Sequence, residues 1–187
     1  MQAFSVATGI VTLAEMGDKT QLLALVLASR YRGKAGSIVA GIFVATLFNH
    51  ALAGAAGSLV THWIGPEALR WILGGSFIAM ALWMLVPDKL DEEDGATRGH
   101  FGVFGTTVLA FFLAEMGDKT QIATVMLAAR YVQDYVWVVA GTTLGMMLAN
   151  APVVFLGEHI TRRVPIRWVH GASAAIFVVL GIVMIAG

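Results

Sequence analysis

Two identical nonapeptides carry the charged residues that stand out in this chain. Residues 13–21 read Leu-Ala-Glu-Met-Gly-Asp-Lys-Thr-Gln, and the same nine residues return unchanged at 113–121. Each copy places two carboxylates and one ammonium in a stretch that is otherwise almost wholly apolar. Helical residues at i, i+3 and i+4 share one face, so Glu15, Asp18 and Lys19 would form one charged cluster. Carboxylate clusters of this kind bind cations.

The charge and the donor atoms of the two motifs indicate which class of cation they would bind. Each motif sums to −1, so a site shared by both carries −2, which one divalent cation neutralises. We expect the carboxylates to be the metal ligands, and these are Glu15, Asp18, Glu115 and Asp118. Further oxygen donors could support them: Thr20, Gln21, Thr120 and Gln121, together with Asn49 and Asn150. Such oxygens suit Mg²⁺, Ca²⁺ and Mn²⁺ rather than Zn²⁺ or Cu²⁺. No resident cofactor is expected.

Other residues near the motifs admit two interpretations each. Lys19 and Lys119 either pair with the carboxylates while the site is empty, or balance charge so that the segment tolerates insertion. Gly17 and Gly117 either break the helices or allow close helix approach, and we favour close packing. His50 is either a proton carrier or a polar helix-packing residue with satisfied hydrogen bonds, and we favour the second.

Composition indicates the setting in which these charges lie. The chain has 187 residues, of which 58% are apolar and 13% charged, and its mean hydropathy is +0.78. Soluble domains carry about 25% charged residues, so a polytopic membrane protein is favoured. A net charge of zero implies no nucleic-acid partner. The absence of cysteine excludes thiolate metal sites and disulfides.

Six segments are long and apolar enough to span a bilayer, which takes about 20 residues. They cover roughly 3–29, 36–61, 67–87, 101–129, 135–157 and 166–186. Each is expected to be a helix, because an open sheet cannot satisfy its backbone in lipid. The expected fold is therefore an all-α polytopic membrane protein with six transmembrane helices. A charge at the bilayer centre costs about 2.5–3.5 kcal/mol, so the motif residues indicate an ion pathway.

The internal repeat extends beyond the nonapeptides. Val-Ala-Gly at 39–41 returns at 139–141, and the pattern at 70–76 resembles that at 167–173. We expect a first three-helix repeat at 1–87, an acidic cytoplasmic linker at 88–100 and a second repeat at 101–187. Three is odd, so the second repeat would enter the membrane from the opposite side. Inverted repeats place their site at the midplane, where the first and fourth spans should pack face to face.

Lysine and arginine in the loops predict the orientation. Eight of them fall on one side: Arg30, Arg32, Lys34, Lys89, Arg98, Arg162, Arg163 and Arg167. The other side has Arg70 and Arg130. This bias places the first, third and fifth loops in the cytoplasm and both termini outside. The expected location is the cell (inner) membrane.

The twin Glu-x-Gly-Asp-Lys-Thr motifs, one in each half, resemble those of a cation–proton exchanger family. Its members include bacterial manganese exporters of the MneA type and Golgi and thylakoid manganese/calcium transporters. The resemblance covers essentially the whole chain. It implies that Glu15, Asp18, Glu115 and Asp118 bind the cation, and that Lys19, Thr20, Lys119 and Thr120 complete the motifs. For a chain of bacterial size it implies manganese efflux, with protons as the second substrate.

Three alternatives to manganese/proton antiport stay open. A Ca²⁺/H⁺ antiporter would use the same oxygen donors. An amino-acid or other organic-solute exporter shares the six-helix plan but needs no carboxylate-rich centre. An intramembrane aspartyl protease could use Asp18 and Asp118, but it needs a shared proton, whereas the neighbouring lysines favour ionised aspartates. We therefore expect a transporter and not an enzyme. The sequence carries no signal for the oligomeric state.

Overall fold

The computed structural model describes residues 1–85, 102–156 and 166–186, and within these ranges the chain is helical with no strand. The helices are α1 (Gln2–Glu15), α2 (Lys19–Arg30), α3 (Ala35–Trp63), α4 (Pro66–Met84), α5 (Gly102–Glu115), α6 (Lys119–Arg130), α7 (Tyr135–Leu156) and α8 (Ile166–Ala186). A short 3₁₀ turn, Val132–Asp134, precedes α7. The predicted linker at 88–100 lies outside the described residues.

The expectation of one helix in each of the six apolar segments holds for four of them. The segments at 36–61, 67–87, 135–157 and 166–186 correspond to α3, α4, α7 and α8 to within a few residues. The segments at 3–29 and 101–129 are each divided into two helices. Both divisions fall inside the nonapeptides, at residues 16–18 and 116–118.

The break in each nonapeptide depends on its glycine. Gly17 has φ of 85° and Gly117 has φ of 77°, a left-handed conformation that glycine adopts without steric cost. A tight turn results, in which Asp18 N–H donates to the carbonyl of Glu15 at 3.1 Å. A methyl group at Gly117 would meet nothing within 4 Å. Close packing, the role that we favoured for this residue, is therefore wrong, and Gly117 serves the break.

Substituting Gly117 and a helical glycine with alanine should have opposite effects on stability. A methyl group has room at both Gly117 and Gly75, which lies inside α4. Gly117→Ala forces a left-handed alanine, at a cost of about 1–2 kcal/mol. Gly75→Ala should be neutral or stabilising by about 0.5–1 kcal/mol, because alanine favours the helix. Thermal unfolding in detergent should give a lower midpoint for Gly117→Ala than for Gly75→Ala, and equal midpoints would contradict a role for the backbone conformation.

The two halves of the chain pack crosswise. A methyl group at Gly41 of α3 would lie 2.7 Å from Cβ of Thr107 in α5, and one at Gly141 of α7 would lie 2.5 Å from the carbonyl oxygen of Phe4 in α1. A methyl group at Gly41 would also lie 3.0 Å from the carbonyl oxygen of Phe104, and this contact is related to that of Gly141 with Phe4 by an offset of 100 residues. The long helix of each half therefore packs against the opening helix of the other half, which brings the two breaks together.

Polar residues lie inside the bundle and apolar residues cover it. Among the described residues, seventeen buried ones are polar or charged. They include five of the six carboxylate and ammonium residues of the motifs, and the sixth, Lys19, is partly exposed. Large apolar side chains are exposed on the long helices, for example Phe48 at 56% and Leu148 at 51%. Within the part of the chain that the structure describes, two helical stretches are long and apolar enough to cross a membrane, Ala35–Thr61 and Val132–Leu156. A bundle with polar residues inside and apolar residues on its surface suits a lipid environment.

Candidate cation site

Three carboxylates meet where the two breaks come together. Glu15, Glu115 and Asp118 each offer one oxygen, and these oxygens lie within 4.8 Å of one another. The glutamates are fully buried and Asp118 is 4% exposed. Glu15 ends α1, Glu115 ends α5 and Asp118 directly precedes α6. The breaks thus bring carboxylates from both motifs to one buried point.

The threonine of each motif orients the glutamate of the same motif. Thr20 Oγ1 donates to Glu15 Oε2 at 2.6 Å, and Thr120 Oγ1 donates to Glu115 Oε2 at 2.9 Å. The other oxygen of each glutamate, Oε1, is buried and has no hydrogen-bond partner among the described residues. An unpartnered buried carboxylate oxygen is costly, so these two oxygens are suited to receive a cation.

The glutamines of the motifs stabilise the breaks. Gln21 Oε1 accepts from the N–H of Gly17 at 3.0 Å, and Gln121 Oε1 accepts from the N–H of Gly117 at 2.7 Å. Gln21 Nε2 also donates to the carbonyl of Ala149 at 3.0 Å. A broken helix leaves backbone groups unsatisfied, and each glutamine oxygen accepts from one of them, the glycine N–H. These oxygens are therefore engaged within the protein and do not face a cation in this conformation.

Asn49 and Asn150 are fully buried, and their side chains offer amide oxygens instead of carboxylate oxygens. Asn49 Nδ2 donates to the carbonyl of Phe112 at 3.1 Å, and Asn150 Nδ2 donates to the carbonyl of Met146 at 3.2 Å. The Oδ1 atom of each has no hydrogen-bond partner among the described residues. The amide nitrogens fix the side chains, and two oxygen donors stay available.

The fourth carboxylate of the twin motifs does not join this cluster. Asp18 is 1% exposed, and its Oδ1 accepts the backbone N–H of Lys19 at 2.6 Å, which caps α2. No such cap is formed by the side chain of Asp118. We expected all four carboxylates at one point, and the structure groups three. The side chains of Asp18 and Asp118 thus make different contacts, although the backbone at the two positions is nearly the same.

An ion pair joins the two motifs at this point. Lys19 Nζ lies 3.4 Å from Asp118 Oδ1, with 21% of the lysine side chain exposed. Lys19 therefore approaches a carboxylate of the opposite half. The three clustered carboxylates and this ammonium sum to −2. Lys119 is buried at 2% exposure. The ion pair is consistent with both roles considered for the lysines, which are pairing with the carboxylates of an empty site and balancing charge for membrane insertion.

The environment of His50, in α3, differs from the one expected. Its side chain is fully buried, and neither ring nitrogen has a hydrogen-bond partner among the described residues. The interpretation as a packing residue with satisfied hydrogen bonds is therefore wrong. The sequence contains a signal for an unusual environment, because His50 and Asn49 form a pair of adjacent polar residues inside an apolar segment.

A buried carboxylate cluster at broken helices, inside a bundle with an apolar exterior, defines a class of membrane protein that moves cations. The comparison with protein families agrees. The model of the family described as "Divalent cation/proton antiporter GDT1" matches residues 3–92 and 103–187. The chain belongs to this family and is a membrane protein.

Relatives of the chain come from bacteria and plants. It is 49% identical over 183 residues to a Vibrio cholerae protein named "Putative manganese exporter", covering 97% of this chain and 90% of that protein. A GDT1-like protein of Synechocystis is 27% identical over 98% of this chain and 96% of its own length. GDT1-like protein 5 of Arabidopsis thaliana is 25% identical over 97% and 94% respectively. No solved structure showed significant similarity.

Proposed function

We propose that this protein exports Mn²⁺ in exchange for protons, through one site formed by both motifs at the membrane midplane. The carboxylates of Glu15, Glu115 and Asp118, grouped within 4.8 Å, carry the proposal. To these ligands we add the amide oxygens of Asn49 and Asn150, which are buried without a hydrogen-bond partner among the described residues. Oxygen donors are of the kind that Mn²⁺, Ca²⁺ and Mg²⁺ accept. The name of the Vibrio cholerae relative favours Mn²⁺ among these.

The proposed architecture has six transmembrane spans in two inverted repeats, at 1–87 and 101–187, joined by a cytoplasmic linker at 88–100. The first span consists of α1 and α2, and the fourth of α5 and α6. The crosswise contacts at an offset of 100 residues support the repeat. The loop charges support extracytoplasmic termini. A reporter fused after Gly187 that is active in the cytoplasm alone would contradict this orientation.

Exchange for protons supplies the driving force for export. Moving a divalent cation outward against 100 mV costs about 4.6 kcal/mol, which is twice the 2.3 kcal/mol for one elementary charge. Two protons moving inward would cancel that electrical cost. Clustered carboxylates suit this exchange, because their mutual repulsion favours proton uptake once the metal has left. The buried Oε1 atoms of Glu15 and Glu115 are the acceptors that we assign to these protons.

Flux through proteoliposomes under an imposed pH gradient tests the proposal. We expect the gradient to drive Mn²⁺ movement, and Mn²⁺ entry to drive proton movement in the opposite direction. Parallel measurements with Ca²⁺ and Mg²⁺ compare the cations. Coupled flux of Ca²⁺ without Mn²⁺ would identify a Ca²⁺/H⁺ antiporter. Metal-independent export of an amino acid or another organic solute would contradict cation transport altogether.

A further inference from the structure

A cavity at one end of the bundle holds two arginines for which the proposed function provides no role. Its volume is about 420 Å³, and it lies among α4, α6 and α8. Arg70 of α4 and Arg130, the last residue of α6, both line it. The rest of the wall is apolar and consists of Leu69, Leu73, Ala129, Val183 and Met184. The cavity thus combines two positive charges with an apolar wall.

Three helix ends meet at this cavity. Arg70 lies near the start of α4, Arg130 at the end of α6, and Met184 near the end of α8. The loop charges predict that these ends face outside the cytoplasm. Arg70 and Arg130 are the two lysine or arginine residues that the sequence assigns to that side. Both lie on the same cavity, so positive charge on this side is concentrated at one place.

Aromatic side chains indicate the depth of the cavity in the membrane. The guanidinium carbon of Arg70 lies 5.7 Å from the centroid of the Trp71 ring, and that of Arg130 lies 5.4 Å from the centroid of the Tyr131 ring. Further exposed aromatic residues lie at the end of α3 and the start of α7, and these are Trp63, Tyr135 and Trp137. Tryptophan and tyrosine are enriched at the level of the lipid head groups. The cavity therefore lies at the depth of lipid phosphates.

The two guanidinium groups keep hydrogen-bonding capacity that the protein does not use. Arg70 Nε is buried and has no hydrogen-bond partner among the described residues. Within the same part of the chain, neither Arg70 nor Arg130 forms an ion pair with a carboxylate, and the residues found to line the cavity include no acid. An arginine that merely extends to water would keep its charged group hydrated. A buried donor without a partner calls for an acceptor from outside the protein.

We propose that this cavity binds the phosphate group of an anionic phospholipid. Arg70 and Arg130 donate to the phosphate oxygens, since guanidinium groups bind phosphate through paired, charge-assisted hydrogen bonds. The apolar wall contacts the part of the lipid next to the phosphate. This wall favours a lipid over free phosphate, and Val183, which is 58% exposed, continues it onto the surface of the bundle. Basic pockets between transmembrane helices bind lipid head groups in this way.

A head group bound here would connect the two halves of the chain. Arg70 belongs to the first proposed repeat, whereas Arg130 and α8 belong to the second. Binding to the folded state alone stabilises that state by mass action. The lipid is therefore expected to stabilise the contact between the repeats. This inference does not depend on which cation the protein transports.

Native mass spectrometry of the purified protein, stripped of lipid in detergent, tests the site. The probes are phosphatidylglycerol and phosphatidylcholine with identical acyl chains, and inorganic phosphate. We expect one tightly bound phosphatidylglycerol. Phosphatidylcholine should bind more weakly, because its choline group offsets the phosphate charge. Arg70→Gln and Arg130→Gln should each lower the affinity for phosphatidylglycerol by about tenfold or more. The matched control is Arg32→Gln, an exposed arginine in the turn before α3 and thus at the other end of that helix, and it should bind as the unsubstituted protein does.

Each other outcome overturns the proposal. Equal affinities of the Arg70, Arg130 and Arg32 variants would show that the cavity does not hold the head group. Inorganic phosphate that binds as tightly as phosphatidylglycerol would identify free phosphate as the ligand, because the apolar wall then contributes nothing. Equal binding of the two lipids would exclude recognition of the anionic charge. The comparison of probes uses the unsubstituted protein, so it does not depend on how well the variants fold.

Discussion

Replacing Glu15 or Glu115 with glutamine should abolish coupled Mn²⁺ transport, and the two variants should be damaged to a similar degree. Both glutamates are fully buried and belong to the same cluster of three carboxylates. With Lys19 the cluster carries −2, and either substitution reduces this to −1. A bound divalent cation is then left with an uncompensated charge in a low-dielectric environment, which costs about 3–5 kcal/mol. Mn²⁺ affinity should fall by roughly a hundredfold or more.

The geometry of the glutamates explains why glutamine cannot substitute for them. Thr20 and Thr120 donate to Oε2 and leave Oε1 available. A glutamine that keeps the hydrogen bond from the threonine turns its NH₂ group toward the cation. A glutamine that turns its oxygen to the cation gives up that hydrogen bond. Either arrangement also removes a group that can take up a proton, so transport is lost even where some binding persists.

Equilibrium Mn²⁺ binding and efflux of each purified variant check this prediction. Glu67→Gln is the matched control, because Glu67 is an exposed glutamate in the first turn of α4, and it should bind and transport as the unsubstituted protein does. Normal transport by Glu115→Gln beside an inert Glu15→Gln would show that the two motifs do not share one cation.

The sequence predicts the location of the site because the motif is chemically improbable in an apolar chain. Two identical groups of Glu, Asp and Lys, 100 residues apart, indicate a shared function. The expectation that helical periodicity places each group on one helix face is wrong, because the chain breaks between the glutamate and the aspartate of each motif. Apolar length predicts the helices of the bundle, since four of the six expected segments match. Asn49 and Asn150 are found by the same reasoning, as polar residues inside apolar segments.

Two features of the site could not be read from the sequence. Glycine in an apolar segment permits both a break and close packing, and the difference depends on backbone conformation, which composition does not encode. Gly117 adopts φ of 77° with open space around it, so the break is its role. Identical nonapeptides also predict equivalent halves. The structure departs from that symmetry at Asp18, whose side chain caps α2, whereas the side chain of Asp118 does not cap α6.

Replacing the two aspartates with asparagine should therefore have unequal effects on Mn²⁺ binding. Asp118 belongs to the carboxylate cluster, and its Oδ1 is paired with Lys19 Nζ at 3.4 Å. Asp118→Asn removes one negative charge from the proposed ligands. It also removes the carboxylate with which Lys19, from the other half, forms an ion pair. We expect Mn²⁺ affinity to fall by roughly a hundredfold, which corresponds to about 3 kcal/mol.

Asp18→Asn should be milder for a physical reason visible in the structure. The Oδ1 atom of Asp18 accepts the backbone N–H of Lys19 and caps α2. Asparagine caps helices about as well as aspartate, so the fold is retained and the cluster of Glu15, Glu115 and Asp118 keeps its charge. Mn²⁺ affinity should fall by about tenfold or less, at or below the lower end of the roughly 10–100-fold losses seen for groups that support ligands without binding the metal.

Isothermal titration of both aspartate variants with Mn²⁺ decides between an asymmetric and a symmetric site. A large loss for Asp118→Asn beside a small loss for Asp18→Asn supports three carboxylates with Lys19 as counter-charge. Equal losses would mean that all four carboxylates bind the cation, as the repeat alone predicts, and that the asymmetry seen here does not govern binding. Efflux adds a further distinction. If inverted halves exchange conformations as the site opens to the opposite side, Asp18 takes the place of Asp118 there. Both variants should then lose turnover, although one of them binds Mn²⁺ almost normally.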